Sequence, residues 1–414
     1  MLRSESMRVV VTTPAPMSTL AMYRSLALSV YLPSFLMSLC QGSVVLMIPL
    51  FALYLGANPA IAAVVFAMRG LGNMISDVPA GYAASRIGDK TTMLTGVTLM
   101  AVVALLASQC TSPMQLAFAA FLFGGAMATW MLARLTHISE SIHVSQRGKA
   151  IATMAGLQRF GNLIGPISSG IIADQFGFEY VFMCVSVIAA LALMLVIFNV
   201  KENRSGGSPE SPGMVALIPH ILSNHRKVFA TAGVSVLCLT ILRSGRQLLV
   251  PLWGESLGLD ATDIGLIVSC AAAVDMTMFI PVGLILDNLG RKYAAVPCMG
   301  ILAVALFLIP LSDSFVTLLL AGMLAGLGNG FGSGINMTLG ADFAPEHERG
   351  EFLGVWRLCS DLGSFAGPII MGYIANSFLL ATAFSFAGGL GVVGAFVMVV
   401  FVKETLVKAE ADRG

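Results

Sequence analysis

Charge is what this sequence has least of. Asp, Glu, Lys and Arg make up 11% of its 414 residues, against roughly 25% in a soluble domain. Water is therefore not the main solvent of the folded chain, and a mean hydropathy of +0.87 says the same. The formal net charge is +1, which leaves no basic surface for nucleic acid. The seven cysteines (Cys40, Cys110, Cys184, Cys238, Cys270, Cys298, Cys359) include no CxxC. All fall in or beside apolar runs, which fits membrane packing better than a metal site or a disulfide. HExxH, GxSxG and a Gly-rich Lys loop are missing, and His137, His143, His220, His225 and His347 all lie near polar loops. Enzyme chemistry, ATP-driven pumping, a cofactor and a metal are not expected. The first ~18 residues contain no apolar h-region, so no cleavable signal is expected either.

Long apolar runs and an internal repeat are what the chain does have. Twelve runs read as membrane spans: about 25–54, 59–82, 91–110, 115–138, 149–173, 178–200, 228–253, 263–286, 292–311, 315–340, 350–376 and 379–402. Each is near the ~20 residues that cross a bilayer core. Matching residues stand 202 positions apart without a gap: Gly81 and Gly283, Gly88 and Gly290, Lys90 and Lys292, Arg147 and Arg349. The register continues through Gly165-Pro166 and Gly367-Pro368 and ends at Val200-Lys201-Glu202 and Val402-Lys403-Glu404. Matched Gly and Pro mean that both copies need the same turns and close approaches. In an apolar chain this points to a two-fold transporter with its site at the repeat interface. The expected organisation is a tail (1–24), a six-helix bundle (25–200), a linker (201–227), a second six-helix bundle (228–403) and a tail (404–414). The linker begins Gly/Ser/Pro-rich, with a short interfacial helix near 213–223.

Lys and Arg are absent from the loops near 55–58, 111–114, 174–178, 254–262, 312–314 and 376–378. The opposite loops hold Arg86, Lys90, Arg147, Lys149, Lys201, Arg204, Arg226, Lys227, Arg291, Lys292, Arg349 and Lys403. The positive-inside rule places both termini in the cytoplasm.

Between spans 8 and 9 stands Gly283-Leu-Ile-Leu-Asp287-Asn-Leu-Gly290-Arg291-Lys292. Two glycines permit a tight inter-helix turn, two cations anchor it, and Asp287 is placed to meet a helix N-terminus or a cation. This loop resembles the signature of the major facilitator superfamily, and the resemblance extends over nearly the whole chain. It implies an all-α membrane protein of twelve helices in two pseudo-symmetric six-helix bundles. The first-half copy, Gly81 to Lys90 with Arg86 and Gly88, departs by placing Ser85 where the family usually has Asp. That puts the first-half latch in doubt, with Asp77 as a substitute two turns earlier. Span 5, from Gly156 through Gly161 and Gly165-Pro166 to Ser169-Gly170, resembles a Gly/Pro motif of drug:proton antiporters. Packing symmetry with Gly367-Pro368 is the competing explanation. Glu140 with Arg147, and Asp342 with Arg349, resemble the family's acidic…Arg-Gly loops. They pair across the cytoplasmic face or are plain solvated charges.

Ionisable groups within spans cost ~2.5–3.5 kcal/mol each on insertion scales and are functional candidates by default. The chain has Arg69, Arg159, Arg243, Arg246, Asp275, Arg357 and Asp361. The resemblance implies that span 2 packs on span 11 and span 5 on span 8. Arg69 and Asp361 then lie ~11–12 residues from their cytoplasmic ends, Arg159 and Asp275 ~10–11, which matches their depths at ~1.5 Å per residue. Two inter-half pairs are expected, Arg69–Asp361 and Arg159–Asp275, the alternative being that Arg357 and Asp361 satisfy each other along one helix. Asp275 and Asp361 are the candidate proton carriers. Arg243 and Arg246 share a face of span 7 and suit a carboxylate- or phosphate-bearing cargo, or else snorkel outward. Gln41, Asn73, Asn329 and Asn336 are candidate polar contacts, and Trp130 and Trp356 packing aromatics.

The expected function is secondary active transport of a small organic molecule by alternating access, as proton-coupled export. Proton-coupled uptake of an organic anion is the alternative, and a non-transporting sensor or scaffold a distant third. The partners are the cargo, protons and the lipid bilayer, without nucleic acid. The expected location is the plasma (bacterial inner) membrane, with the chain acting as a monomer.

Overall fold

A computed structural model describes residues 18–201 and 214–406. Most of the expected N-terminal tail, the first part of the linker with Glu202 and Arg204, and residues 407–414 lie outside the described residues. The helices are α1 (Thr19–Tyr54), α2 (Pro59–Ile87), α3 (Asp89–Ala107), α4 (Pro113–Ser141), α5 (Val144–Phe176) and α6 (Phe178–Asn199). After a linker helix (Met214–Asn224) come α7 (Arg226–Ser256), α8 (Ala261–Asn288), α9 (Lys292–Leu311), α10 (Phe315–Phe343), α11 (Arg349–Ser377) and α12 (Leu380–Val400). Among the described residues 11 helices are long and apolar enough to cross a membrane. The twelfth, α5, has 33 residues, about 50 Å of helix, but dilutes its apolar face with Arg159, Asn162 and Asp174. One of its faces packs closely on α1. Gly161 and Gly165 lie 2.7 Å, at the position a Cβ would take, from the α1 carbonyls of Phe35 and Leu39.

Local chemistry sets where the helices begin. Asn58 and Ser112 each accept a backbone N–H of the first turn, and Pro59 and Pro113 follow at the first helical position. Asp260 caps α8 through Asp263 N at 2.7 Å, and Ser314 with Thr317 forms a capping box on α10. Where the chain turns back at Gly88 and Gly290, φ is +94° and +123°, a region open to glycine.

The repeat reaches the backbone in places where the side chains do not match. Wide π-helical turns occur at Ala27–Tyr31 and Phe229–Gly233, 202 residues apart. Two interruptions separate structure from the expected continuous spans. α8 breaks at Met278, and α10 breaks between Phe331 and Ile335, where Gly334 takes φ +78°. The glycine run Gly328, Gly330, Gly332, Gly334 lets α10 part there.

The loops free of Lys and Arg gather at one end of the bundle, termed the acidic end because it has Asp174, Glu255, Asp260 and Asp313. The other is the basic end. At the acidic end the two halves approach closely. A Cβ on Gly170 of α5 would fall on the Ala261 carbonyl of α8, and one on Gly372 of α11 would fall on Ala63 of α2. Asp174 accepts from Ala261 N at 3.1 Å and Thr262 N at 2.7 Å across the same seam. Towards the basic end Gly156 of α5 and Gly283 of α8 have no neighbour within 4 Å of a Cβ. The closest contacts between the halves at these glycines are therefore at the acidic end.

Candidate functional site

A cavity of about 260 Å³ lies between the halves. Gln41 and Asn162 from the first half, and Arg246, Gln247, Asp275 and Asn329 from the second, supply its polar wall. Val45, Leu46, Val250 and Ile267 supply the apolar one. Glycines set this arrangement, because Gly265 of α8 rests on the Pro166 carbonyl of α5, 2.5 Å from its Cβ position. Gly165 rests on α1, and Ser43 donates to the Gly165 carbonyl at 3.1 Å. With α5 held against both α1 and α8, Asn162 and Pro166 line the cavity.

Asp275 of α8 lines the cavity and is bound by Arg159 of α5, Nη1 to Oδ1 at 3.3 Å. Asn329 donates Nδ2 to the other carboxylate oxygen at 3.0 Å, and Arg159 Nη2 donates to Ser333 at 3.0 Å. The guanidinium also lies 4.7 Å from the Phe279 ring centroid. Phe279 follows the break in α8 and Ser333 sits in the break of α10. Arg159 therefore touches both broken helices of the second half at once. Neither contact was anticipated, although the alternating glycines at 328–334 were the available signal. Leaving one partner of such a pair uncompensated costs about 3–5 kcal/mol.

The second expected pair does not form. Arg69 of α2 donates Nη2 to Gln247 at 3.4 Å and stacks 5.2 Å from the Phe66 ring centroid. Gly72 and Gly124 bring α2 and α4 into backbone contact beside it, which fixes how α2 is turned. Asp361 of α11 instead lies 3.9 Å from Arg357 on its own helix. Arg357 gives its short bond across the seam, to Asp77 of α2 at 2.7 Å. Asp77 Oδ2 is buried without an N–H or O–H donor. The seam between α2 and α11 thus contains two carboxylates and one guanidinium.

The remaining candidates divide. Gln41 and Arg246 line the cavity. Arg243 does not; it packs behind the wall, donating to the Asn329 carbonyl at 3.4 Å and lying against Gly332. Asn336 is absorbed by packing, donating to Ser360 at 2.8 Å and accepting from the Trp356 indole at 2.8 Å. Trp130 is fully buried, and Asn73 adjoins Gly124 away from the cavity lining. Gly367 of α11 packs on Ser244 and Ile241 of α7.

At the basic end Asp287, expected to meet a helix N-terminus or a cation, is exposed, and the N-terminus of α9 is held by Glu404. Glu404 accepts from Arg291 N at 2.8 Å and Lys292 N at 3.0 Å. Burial opposes the charged carboxylate, but the backbone N–H groups of Arg291, Lys292, Leu406 and Thr405 prevail and hold it below the usual Glu range. The repeat of Val-Lys-Glu was the signal for it. Arg291 binds Asp342 with Nε at 2.7 Å and Nη2 at 3.3 Å, within one half and not across the face. Arg147 donates to its neighbour Ile142 O at 3.1 Å, and Arg86 lies 5.4 Å from the Tyr82 ring centroid. Glu140 is half-buried, and Arg349 is exposed. Asp89 and His137 form a buried pair in the first half. Glu348, beside Arg349, lies 3.5 Å from both His220 and His225 of the linker.

Comparison with known proteins bears on all of this. An uncharacterized MFS-type transporter of Methanocaldococcus jannaschii is 19% identical over 88% of this chain and 95% of its own. A multi-drug resistance efflux pump PmrA homolog of Lactococcus lactis is 29% identical over 58% of this chain and 60% of its own. The quinolone resistance protein NorA of Staphylococcus aureus is 30% identical over 36% of this chain and 38% of its own. Among solved structures, the peptide transporter POT in complex with sulfate superposes with a TM-score of 0.78 at 12% identity, covering 94% of this chain and 96% of that one. A nucleoside transporter NupG mutant gives a TM-score of 0.74 at 17% identity, covering 92% and 100%. The Major Facilitator Superfamily profile matches residues 30–249 and 233–414. The chain belongs to the major facilitator superfamily, as a multi-pass transporter of the plasma membrane and not an enzyme.

Proposed function

We propose that this transporter exports small organic molecules in exchange for protons by alternating access, with its basic end and both termini in the cytoplasm. The supporting observation is the central cavity, walled by both halves, with close glycine contacts at the acidic end and with its wall residue Asp275 bound to Arg159 of the opposite half. On this reading the structure is inward-facing. Since one chain supplies both walls, a monomer suffices. Breaking Arg159–Asp275 and the Asp174 cap on α8 opens the acidic end, while the basic end closes by bringing Arg147, Arg349 and their acidic neighbours together.

Proton exchange is assigned to Asp77, Arg357 and Asp361. Both carboxyls share Arg357, at 2.7 Å and 3.9 Å; one guanidinium compensates only one carboxylate, so the second is stabilised by a proton. As the halves rock, α2 and α11 separate, Asp361 is left with Arg357 alone, and that proton is released. Each proton moving inward supplies about 2.3 kcal/mol per 100 mV. Export as the direction is supported by the efflux and resistance names of the relatives from Lactococcus lactis and Staphylococcus aureus.

The test is purified protein in liposomes containing a pH-sensitive dye, with an imposed pH gradient and a panel of organic anions, neutral compounds and drugs. Compound-dependent proton flux that vanishes in Asp361→Asn is the expected result. Compound movement without proton movement would exclude the exchange.

A further inference from the structure

Among the described residues, two guanidiniums at the central cavity make no ion pair of their own. Arg246 lines it, and Arg69 reaches its wall through Gln247 at 3.4 Å. The Nε of each is buried without an acceptor. Among the described residues no carboxylate lies within 4 Å of either, since the ion pairs of the arginines belong to Arg159, Arg291 and Arg357. The one acid of the cavity wall, Asp275, is already bound by Arg159 and Asn329. Arg243 adds a further positive charge behind the wall. A charge taken out of water without a partner is unfavourable, and the planar guanidinium fork matches the geometry of oxyanions. Arg69 comes from α2 and Arg246 from α7, so an anion between them contacts both halves, as a cargo that triggers rocking must.

We propose that the cavity takes an organic oxyanion, a carboxylate or phosphonate on a compact apolar body, held by Arg246 and Arg69 beside Gln247. The body rests on Val45, Leu46 and Val250, and about 260 Å³ suits a single-ring acid. This identifies the cargo of the exporter above and rests on that reading for the direction of transport alone.

The experiment is titration calorimetry of the full chain in lipid nanodiscs with benzoate, phenylphosphonate, neutral benzamide and benzylammonium. At least one oxyanion binds at least tenfold tighter than benzamide, and Arg246→Gln and Arg69→Gln each remove most of that preference. Arg246→Lys keeps part of it. Benzamide or benzylammonium binding as tightly as both oxyanions overturns the proposal on the unmodified protein, even if a variant fails to fold. So does an unchanged oxyanion affinity in both Gln variants. Whichever of benzoate and phenylphosphonate is preferred tells carboxylate from phosphate cargo. Arginine-dependent binding without oxyanion-linked proton flux in liposomes leaves this inference standing and removes the exchange reading. Proton-linked efflux of benzylammonium alone does the reverse.

Discussion

The seam between α5 and α8 and the seam between α2 and α11 occupy equivalent places in the repeat but distribute their charges differently. At the first, Arg159 faces one carboxylate, Asp275, with Asn329 and Ser333 completing the set. At the second, the repeat mate of Arg159 is Asp361, the mate of Asp275 is Asn73, and the mate of Phe279 is Asp77. Two acids there surround the single Arg357. One seam balances its charges, and the other has one carboxylate more than its guanidinium compensates. A duplicated backbone therefore does not imply duplicated electrostatics. The close-contact glycines of α5 recur on α11 (Gly161 and Gly363, Gly165 and Gly367, Gly170 and Gly372), while the side chains between them are free to specialise. The comparison separates a seam suited to holding the halves together from one suited to exchanging a proton.

The largest expected effect comes from unbalancing the balanced seam. Arg159→Ala or Asp275→Ala leaves a lone charge worth about 3–5 kcal/mol, so transport falls steeply and thermal unfolding shifts down. Reversing both signs, Arg159→Asp with Asp275→Arg, recovers most flux. Fully active single variants would dismiss the pair as a structural bystander. A second contrast follows at the other seam. Asp361→Asn leaves Arg357–Asp77 intact at 2.7 Å, so the protein stays folded and downhill movement of cargo persists. Accumulation driven by an imposed pH gradient is lost, and a gradient response equal to wild type would reassign the proton site.

Smaller effects sharpen the comparison at the loops of the two halves. Gly88→Ala and Gly290→Ala both force a side chain into positive φ, +94° and +123°, at roughly 1–2 kcal/mol. Gly290→Ala is the worse, because its Cβ would stand 2.5 Å from the Glu404 carboxyl. Equal melting temperatures for the two variants would remove Glu404 from the account. The smallest effect is Glu404→Gln, about 0.3–1 kcal/mol for a charge at a helix N-terminus. Since its folded pKa is depressed, its contribution is present above the ordinary value of about 4.3. It disappears as pH falls through the lower folded value. Melting between pH 6 and pH 3 should lose that increment in wild type and show no such step in Glu404→Gln.

Much of the fold was legible because its causes are local. Span length, loop charge and the matched glycines require only hydropathy and backbone geometry. The missed breaks at Met278 and Gly334 have a different origin. A glycine run permits a break, but α10 parts at 332–334 where Arg159 of the opposite half supplies Ser333 with a partner. Depth along the membrane was also readable, and it brought Arg159 to Asp275. The same measure failed for Arg69 and Asp361, because depth says nothing about rotation about the helix axis. Arg357 and Asp361 are one turn apart, and the turning of α11 gives the cross-seam bond to Arg357.

By itself, then, the amino-acid order determined the number of long helices, their two-fold register and which residues sit deep in the bundle. Those properties come from burial and backbone conformation, which each segment carries alone. Tertiary structure decided which partner each charge meets: Arg69 the Gln247 amide, Arg357 the Asp77 carboxylate, Glu404 the N–H groups at the start of α9. An ion pair needs its partner within about 4 Å, and only the packed angles of neighbouring helices set that distance.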